Sequence, residues 1–428
     1  MNKKPLCAAP FLGMFWRGNP SKNNTFDGSY KPCCESNNFQ EIQARKTFKH
    51  EDVKDFKKDI FNNNFAKEIR STLMKGEFHS ICHLCKFKEE NGQNSRNNYF
   101  EIAKDIEEIY GSFEYDIDKG TTHDKIFWLD YRPSNLCNLK CRMCGPANSS
   151  LFAEEIKNLD SNIKEQFKNK VKLTAQDVHI FDKRKSKDQL YNIIPLEHII
   201  YLKLLGGEPL IMEEVFHMLD KLKNNKNTNI IITTNATKIT DKVIKIFKQL
   251  KVKRIHFTNS LDGIGDVYEY IRFPGKWNKT LEGFEKLIDL RLNNLNTKVS
   301  MSITMVIQMW NIFNIDQIID WCISLYRAKK IDRFLFSIVS QKNLSIAILH
   351  DDHKLFILEV LEQSFKKWNM SEKEKLMFIT PITNMLKVYI DEDEINEFRI
   401  QFRDTTLLFD KIRNQDITLL DKKYLEYI

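Results

Sequence analysis

The 428-residue sequence lacks the features of several common protein classes. No segment approaches the ~20 consecutive apolar residues that a membrane-spanning helix needs, and no internal repeat or low-complexity segment stands out. A short apolar run follows Lys3 and Lys4, but Pro10 interrupts it and no small-residue cleavage site comes before Arg17. It therefore does not have the form of a signal peptide. These absences argue against a secreted or membrane protein and predict a cytoplasmic location.

Cysteine is missing from the last 106 residues, although the chain contains nine. Eight of them precede residue 145 in tight groups, and Cys33 and Cys34 are adjacent. A secreted disulfide framework is not expected to concentrate its thiols in this way, whereas metal sites take ligands from closely spaced cysteines. The distribution indicates a reducing compartment and cysteines that bind metal.

A strong excess of one charge is also missing, because 66 basic and 58 acidic residues give a net charge of +8. The lysines are spread along the whole chain, with no basic–aromatic stripe and no recognisable RNA-binding module. Nucleic acid is therefore a disfavoured partner.

The central part of the chain alternates apolar strands with helical patterns. The predicted strands are Ile126–Tyr131, Ile199–Leu205, Asn229–Thr234, Arg254–Asn259, Val299–Val306 and Arg333–Val339. The helices predicted between them include Glu213–Lys223, Asp241–Leu250, Leu281–Leu292 and Ile315–Tyr326. Strands that alternate with helices pair in parallel through right-handed crossovers. Six such units predict an α/β fold, a partial (β/α)6 barrel of the TIM type that stops short of the eight-stranded closed form.

The pattern divides the chain into four regions. Residues 1–100 form a cysteine-rich domain, and residues 101–124 form an acidic, amphipathic linker. The partial barrel spans residues 125–344, with a lysine-rich insertion at about 150–195. Residues 345–428 are predicted to form a helical cap.

Local patterns add detail at the two ends of the chain. Turns are predicted at Arg17–Asn24 and Phe26–Tyr30. Apolar residues at i, i+4 steps then predict one amphipathic helix through Phe61, Phe65, Ile69 and Leu73. Near the C-terminus, Ser371 and Glu374 have the spacing of a capping box. One buried helix face there is marked by Ile395, Phe398 and Phe402.

Three thiols lie within eight residues, at Cys137, Cys141 and Cys144. They follow the first predicted barrel strand, and barrel enzymes place their chemistry at the carboxyl ends of the strands. A 4Fe–4S cluster takes four ligands, so a loop with three thiols leaves one iron open to bind another group. A zinc site would need a fourth Cys or His, and none lies nearby between residues 129 and 179. Zinc completed by a distant ligand is the alternative.

The Cys-x3-Cys-x2-Cys spacing resembles that of the radical S-adenosylmethionine (SAM) enzymes, whose open iron chelates the amino and carboxylate groups of SAM. Gly206-Gly207-Glu208-Pro209 closes the second strand and resembles the family's Gly-Gly-Glu-Pro motif, which binds the methionine amino group. Met143, before the last Cys of the triplet, would lie near adenine. A glycine pair at a strand end also suits an ordinary turn, so the motif depends on the triplet for its context.

The resemblance implies further SAM-binding residues after the third and fourth strands. Thr234 and Asn235 would lie near the ribose. Ser260 and Asp262 resemble the Ser-x-Asp-Gly rim of anaerobic sulfatase-maturating enzymes and peptide maturases, and Arg272 would pair with the SAM carboxylate. The alternatives are that short polar residues before glycine form turns and that Arg272 is an exposed surface residue.

A second group of cysteines precedes the barrel, at Cys7, Cys33, Cys82 and Cys85. This layout resembles the twitch domain, a shortened version of the SPASM domain, which carries one auxiliary 4Fe–4S cluster. Four thiols would close that site, which suits electron transfer, whereas a structural zinc on the same four thiols is the alternative. Cys34 is spare or replaces Cys33. Cys322 is predicted to be a core residue.

The resemblance covers roughly residues 1–340 and implies a radical SAM oxidoreductase or maturase. Its reduced cluster would cleave SAM to a 5′-deoxyadenosyl radical that abstracts hydrogen from a substrate, with the auxiliary cluster as electron relay. The expected substrate is a peptide or protein, and the expected reductant is a flavodoxin or ferredoxin. The alternatives are an RNA- or small-molecule-modifying radical SAM enzyme and a non-catalytic zinc-binding interaction protein. No catalytic acid or base is assigned.

Overall fold

The computed structural model describes residues 5–19, 27–33, 46–49, 53–90, 95, 97–111, 125–170, 190–339 and 341–428. Contacts divide the chain into two compact units. The first unit comprises residues 1–136, 181–232 and 249–255, and the second comprises 137–180, 233–248 and 256–428. Cys34 and much of the insertion predicted at about 150–195 lie outside the described residues. Across the described ranges, no helix is both long and apolar enough to span a membrane.

Nine β-strands are found in the described part of the chain. They are β1 (Gly13–Asn19), β2 (Asp27–Lys31), β3 (Lys46–Lys49), β4 (Trp128–Arg132), β5 (Tyr201–Leu204), β6 (Asn229–Thr234), β7 (Arg254–Ser260), β8 (Lys298–Ile307) and β9 (Arg333–Ile338). In the first unit the strands lie in the order β3-β2-β1-β4-β5-β6. In the first unit, β2 pairs antiparallel with β1 and β3, while β1, β4, β5 and β6 pair in parallel. In the second unit, β8 and β9 are parallel.

The six strands predicted for the barrel are present as β4 to β9, each with ends within two residues of the prediction. The predicted α/β partial-barrel class is therefore confirmed. The turns predicted at Arg17–Asn24 and Phe26–Tyr30 are wrong where the structure describes them, because Gly13–Asn19 and Asp27–Lys31 are strands. The reason is tertiary: β1 lies beside β4, and the ladder between them satisfies its backbone groups.

The helices of the first half are α1 (Ala9–Leu12), α2 (Asn64–Met74), α3 (His83–Glu90), α4 (Asn97–Tyr110), α5 (Ser150–Asn158), α6 (Ser161–Lys170) and α7 (Leu190–Ile193). Those of the second half are α8 (Glu213–Leu222), α9 (Asp241–Gln249), α10 (Gly265–Ile271), α11 (Trp277–Asn293), α12 (Ile315–Arg327), α13 (Asp351–Lys367), α14 (Glu372–Phe378), α15 (Thr380–Leu386) and α16 (Glu392–Arg413). The predicted barrel helices appear as α8, α9, α11 and α12, and the predicted C-terminal helices as α13 to α16.

The predicted N-terminal amphipathic helix begins later than expected. The Asn63 side chain accepts a hydrogen bond from the Ala66 N–H and so caps α2, which starts at Asn64. Phe61 instead ends a π-helix, Phe56–Phe61. Ile69 and Leu73 are buried as predicted, in a cluster with Phe11 and Ile81.

Predictions for the C-terminal half are confirmed in detail. Ser371 and Glu374 form the capping box at the start of α14. Phe398 and Phe402 are buried on α16, while Ile395 is half-buried. Cys322 is fully buried in α12, as a core residue should be.

The sheet of the first unit has two unequal faces. Side chains alternate between half-buried and fully buried along β5 and β6, because successive residues of a strand point to opposite faces. One face is therefore closed, whereas the other remains partly open to solvent. Asp130 of β4 and Lys203 of β5 are register partners. Lys203 belongs to the half-buried set, whereas Asp130 beside it is buried.

Candidate metal centre and active site

Three predicted ligands, Cys137, Cys141 and Cys144, lie together in the loop after β4. The Cys144 N–H donates to the Cys141 carbonyl at 3.0 Å. The Cys137 N–H donates to Ser150 Oγ at 3.2 Å, and the Leu139 N–H donates to the Cys137 sulfur at 3.4 Å. Hydrogen bonds to sulfur are among the interactions that tune iron–sulfur clusters. The loop therefore has both the donor atoms and the local support that a three-thiolate site requires.

The three thiols also act on one another electrostatically. The Cys141 and Cys144 side chains are hydrogen-bonded to each other. This hydrogen bond, together with burial, raises the pKa of Cys141. The same hydrogen bond lowers the pKa of Cys144. Cys137 is close enough to raise the Cys144 pKa, and the Arg272 guanidinium lowers the pKa of both Cys141 and Cys144. A neighbouring cation favours the thiolate, which is the form that binds metal.

Arg272 is 8% exposed, so the alternative that it is an exposed surface residue is wrong. Its Nη2 lies 2.7 Å from Asp262 Oδ2, and Asp262 Oδ1 accepts a hydrogen bond from the Val306 N–H at 2.8 Å. The Nε of Arg272 is buried and has no hydrogen-bond partner. A buried unpaired donor is costly unless a ligand completes it. This atom therefore fits a carboxylate ligand, as the resemblance to SAM-binding enzymes implied.

A polar network joins the cluster loop to the residues after β6. Asn235 Nδ2 donates to Asn138 Oδ1 at 3.2 Å, and Asn138 Nδ2 donates to Thr237 Oγ1 at 2.8 Å. Thr237 Oγ1 donates in turn to Asn235 Oδ1 at 2.6 Å. Thr234 Oγ1 accepts from the Ala236 N–H, which is a turn contact. Asn138 and Thr237 were missed from the sequence, where the only signal was that Asn138 follows the first thiol.

Two further predicted residues lie in the second unit. Ser260 ends β7 and is half-buried. Met143 is half-buried, and its carbonyl accepts a hydrogen bond from Gln341 Nε2 at 3.1 Å. Their predicted contacts with SAM remain predictions.

The predicted glycine motif lies in the first unit, where it packs tightly against the chain that leads to Cys137. The Gly207 N–H donates to the Ser134 carbonyl at 3.3 Å, and the Glu208 N–H donates to the Leu136 carbonyl at 2.8 Å. A Cβ on Gly207 would come within 2.3 Å of the Leu136 carbonyl oxygen. Gly206 has a φ of +142°, which residues with a side chain rarely adopt. Both glycines are thus required by the turn itself.

Glu208 and Pro209 complete this turn. Glu208 is 1% exposed, and its Oε1 accepts a hydrogen bond from the Leu210 N–H at 3.1 Å. Pro209 begins the short 3-10 helix Pro209–Ile211, where its missing N–H is no loss.

The four N-terminal thiols, far apart in sequence, line one cavity of the first unit: Cys7, Cys33, Cys82 and Cys85. Each is half-buried. Cys7 packs against two hydrophobic clusters, one shared with Cys33 and the other with Cys82. The structure therefore gathers the cysteines that the resemblance grouped.

Arg70 of α2 fixes the segment that follows Cys7. Its side chain is fully buried, and it donates to the carbonyls of Pro10 at 2.8 Å and Phe61 at 2.9 Å and to Asn62 Oδ1 at 2.6 Å. Its guanidinium also lies 4.6 Å from the centre of the Phe61 ring. Such a fork fixes the segments at Pro10 and at Phe61–Asn62 against α2.

Ligand spacing distinguishes a cluster from a single ion. One zinc bound by thiolates at ~2.3 Å holds their sulfurs about 3.8 Å apart in a tetrahedron, whereas the thiolates of a cluster each bind a different iron and lie further apart. In the described part of the chain, the group of three or more ligand atoms within 4.8 Å of one another is Asp352, His353 and Glu426. Neither cysteine group has three sulfurs within that distance of one another.

Fold and site together define an α/β enzyme of the partial-barrel type with a three-thiolate loop after its first barrel strand. Residues 131–322 match the sequence model of the Radical SAM superfamily. The matched segment, just under half of the chain, is a radical SAM domain, which is a kind of domain that binds a 4Fe–4S cluster and SAM.

Similar proteins were found by sequence and by structure. The chain is 26% identical over 191 residues to a probable GTP 3′,8-cyclase of Methanocaldococcus jannaschii, which covers 44% of this chain and 52% of that protein. The chain thus spans about half the length of that relative.

Solved structures with a similar arrangement include Streptococcus suis SuiB bound to precursor peptide SuiA, at 17% identity and a TM-score of 0.34 over 56% of this chain and 46% of that one. Another is anSMEcpe with bound AdoMet and the Cp18Cys peptide, at 16% identity and a TM-score of 0.33 over 55% of this chain and 59% of that one. These scores are below 0.5, so no substrate is inferred from them.

Proposed function

We propose that this protein reductively cleaves SAM at a 4Fe–4S cluster on Cys137, Cys141 and Cys144, and that the resulting 5′-deoxyadenosyl radical takes a hydrogen atom from a substrate. The observation that carries the proposal is the loop that gathers three thiols next to Arg272, a buried cation with an unpaired donor. When bound, the cluster supplies the electron that splits the sulfonium of SAM.

The side chains of the second unit have separate tasks in this proposal. The three thiols would hold three irons of the cluster and would leave the fourth for the amino and carboxylate groups of SAM. Arg272 offers its unpaired Nε to a carboxylate, while its ion pair with Asp262 keeps the guanidinium in place. Asn235, fixed through Asn138, is the proposed contact for the ribose.

We further propose that Cys7, Cys33, Cys82 and Cys85 hold a second 4Fe–4S cluster that relays electrons. Two observations support a cluster over one zinc. The four thiols line one cavity, and no three of them stand within the spacing that one ion requires. Four protein ligands leave no open iron, so this cluster is suited to electron transfer.

Anaerobic reconstitution with iron and sulfide tests both sites. The expected content is about eight irons per chain, since each cubane holds four, and release of 5′-deoxyadenosine with a reduced flavodoxin or ferredoxin. Cys141→Ala should abolish that release, whereas Cys82→Ala should remove about half of the iron and spare it. Cys322→Ala is the matched control because Cys322 is a buried cysteine assigned to neither site. Four irons plus one zinc would refute the auxiliary cluster, and 5′-deoxyadenosine release by Cys141→Ala would refute the main proposal.

The proposed substrate is a peptide or protein, on the resemblance of the N-terminal cysteines to the auxiliary-cluster domain of peptide maturases. A nucleotide is the second candidate, because the archaeal relative is named as a probable GTP 3′,8-cyclase. The two are separated by adding GTP to the reconstituted enzyme. GTP-dependent 5′-deoxyadenosine release with consumption of GTP would favour the nucleotide, and its absence would favour the peptide.

A further inference from the structure

Arg142 lies inside the cluster loop, between two of the predicted ligands, and the radical SAM chemistry proposed above assigns it no task. Its side chain is fully buried. The Nε donates to the Tyr270 carbonyl at 3.0 Å, and the guanidinium carbon lies 3.6 Å from the centre of the Tyr270 ring. Burying a guanidinium is costly unless it is both paired and hydrogen-bonded. The structure supplies the pairing from a distant part of the chain.

Asp410, in the last turn of α16, is that partner. Arg142 Nη2 is ion-paired and hydrogen-bonded to Asp410 Oδ1, and it also donates to Gln415 Oε1 at 3.1 Å. The other carboxylate oxygen of Asp410 accepts from the Ile417 N–H at 3.1 Å, which fixes the carboxylate as well. The C-terminal helix, which lies beyond the residues matched by the family model, therefore contacts the cluster loop directly.

A second contact from the same helix supports another residue of the loop, Lys140. Arg413 donates two hydrogen bonds to Glu155, at 2.8 Å and 3.2 Å, and Glu155 lies 2.6 Å from the ammonium of Lys140. The Lys140 N–H donates to the Phe273 carbonyl at 2.7 Å. Both basic residues between the thiols are thus held by carboxylates whose own positions depend on α16.

We propose that Asp410 is a positioning residue of the cluster loop, and that its pair with Arg142 sets the charge next to the cluster. The proposal rests on the cluster assigned to Cys137, Cys141 and Cys144. Net charge and hydrogen bonding are among the factors that set the potential of an iron–sulfur cluster. Arg142 directly follows Cys141 and lies two residues before Cys144. An uncompensated guanidinium there would stabilise the reduced form of the cluster, and Asp410 would cancel that effect.

The proposal predicts that variants of Asp410 and Arg142 shift the midpoint potential of the cluster in opposite directions. Asp410→Asn leaves the cation unpaired and should raise the midpoint potential of the reconstituted cluster. Arg142→Met leaves the anion unpaired and should lower it. The double variant restores neutrality and should return the potential towards that of the wild type. Glu397→Gln, which removes an exposed carboxylate from the same helix, is the matched control and should cause no shift.

The measurement is an anaerobic redox titration of the cluster followed by electron paramagnetic resonance. Opposite signs for the two single variants support the proposal, because simple damage to the loop would shift both potentials in the same direction. Shifts of the same sign, or none relative to the Glu397→Gln control, overturn it. If the wild type itself takes up no iron, the proposed function fails instead, and the two failures are distinguished within one experiment.

Variants that keep the charges provide the second measurement if a single variant does not fold. Asp410→Glu and Arg142→Lys retain the net charge but lose the fork geometry. We expect them to leave the potential unchanged and to lose iron to a chelator about tenfold faster, because residues that orient the ligand-bearing loop also affect metal affinity. Iron loss at the wild-type rate would overturn the positioning role.

Discussion

Asp130 is a buried carboxylate whose role can be tested without knowledge of the substrate. It is 1% exposed in β4, and neither of its oxygens has a hydrogen-bond partner. The ammonium of Lys203 lies 3.8 Å away, beyond hydrogen-bond distance. Asn has the same shape as Asp but no charge. We therefore predict that Asp130→Asn stabilises the protein, whereas most buried substitutions destabilise.

The magnitude follows from removing the buried charge, because an Asn amide at this position would leave its hydrogen bonds unmade as well. A buried polar group without a partner costs about 1–3 kcal/mol, and more when it is charged. Lys203 offsets part of that cost, but its side chain is one-third exposed, so water screens the attraction. We expect Asp130→Asn to raise the free energy of unfolding by about 1–2 kcal/mol at neutral pH.

The pH dependence has a definite sign. Burial raises the pKa of Asp130, while Lys203 and Arg132 lower it by a smaller amount. A raised pKa in the folded state means that stability falls as pH rises from the unfolded value, about 3.9, through the folded one. The advantage of the Asn variant should therefore be smallest at the acid end of this window and grow with pH.

Urea unfolding of the apo-protein at several pH values measures this difference. Lys203→Met is the matched control: alone it should destabilise, because it removes the compensating cation, whereas in the Asn variant it should be nearly neutral. If Asp130→Asn is instead less stable than the wild type at neutral pH, the carboxylate is satisfied and the reasoning is wrong. A stabilising result would make Asp130 the acid–base candidate that the sequence did not assign, since a residue that costs stability is commonly retained for function.

Three further predictions concern other parts of the molecule. Arg70→Met should destabilise the N-terminal fold by about 2–4 kcal/mol, because it leaves two buried carbonyls unpaired; hydrogen exchange in residues 5–19 measures this, and unchanged exchange would contradict it. Gly207→Ala should abolish SAM binding, because its Cβ would clash with the Leu136 carbonyl oxygen; SAM titration by calorimetry decides, and wild-type affinity would count against the role of the turn. The pKa of Glu374 is lowered to about 2 by its hydrogen bond to Arg327. Glu374→Gln should therefore destabilise at pH 7 and progressively less as pH falls from about 4.5 towards 2, and a pH-independent difference in unfolding midpoint would refute this.

The local elements were predictable from the sequence because they depend on periodicity and short-range chemistry. Strand β6 was predicted with its exact ends, and the capping box of α14 needs only Ser371 and Glu374. Strand β1 was not predictable, because a segment with turn-forming residues becomes a strand only when β4 is beside it. Its formation depends on a partner more than 100 residues away.

The same division applies to the site. The spacing of Cys137, Cys141 and Cys144 alone predicted a three-thiolate loop that would leave one iron open, because ligand count and loop length are properties of a short segment. Only the tertiary structure showed that Asp410 pairs with Arg142 and that Arg272 is buried against Asp262. Such contacts join residues that are distant in the chain, and a buried charge finds its partner through packing, which no local pattern encodes.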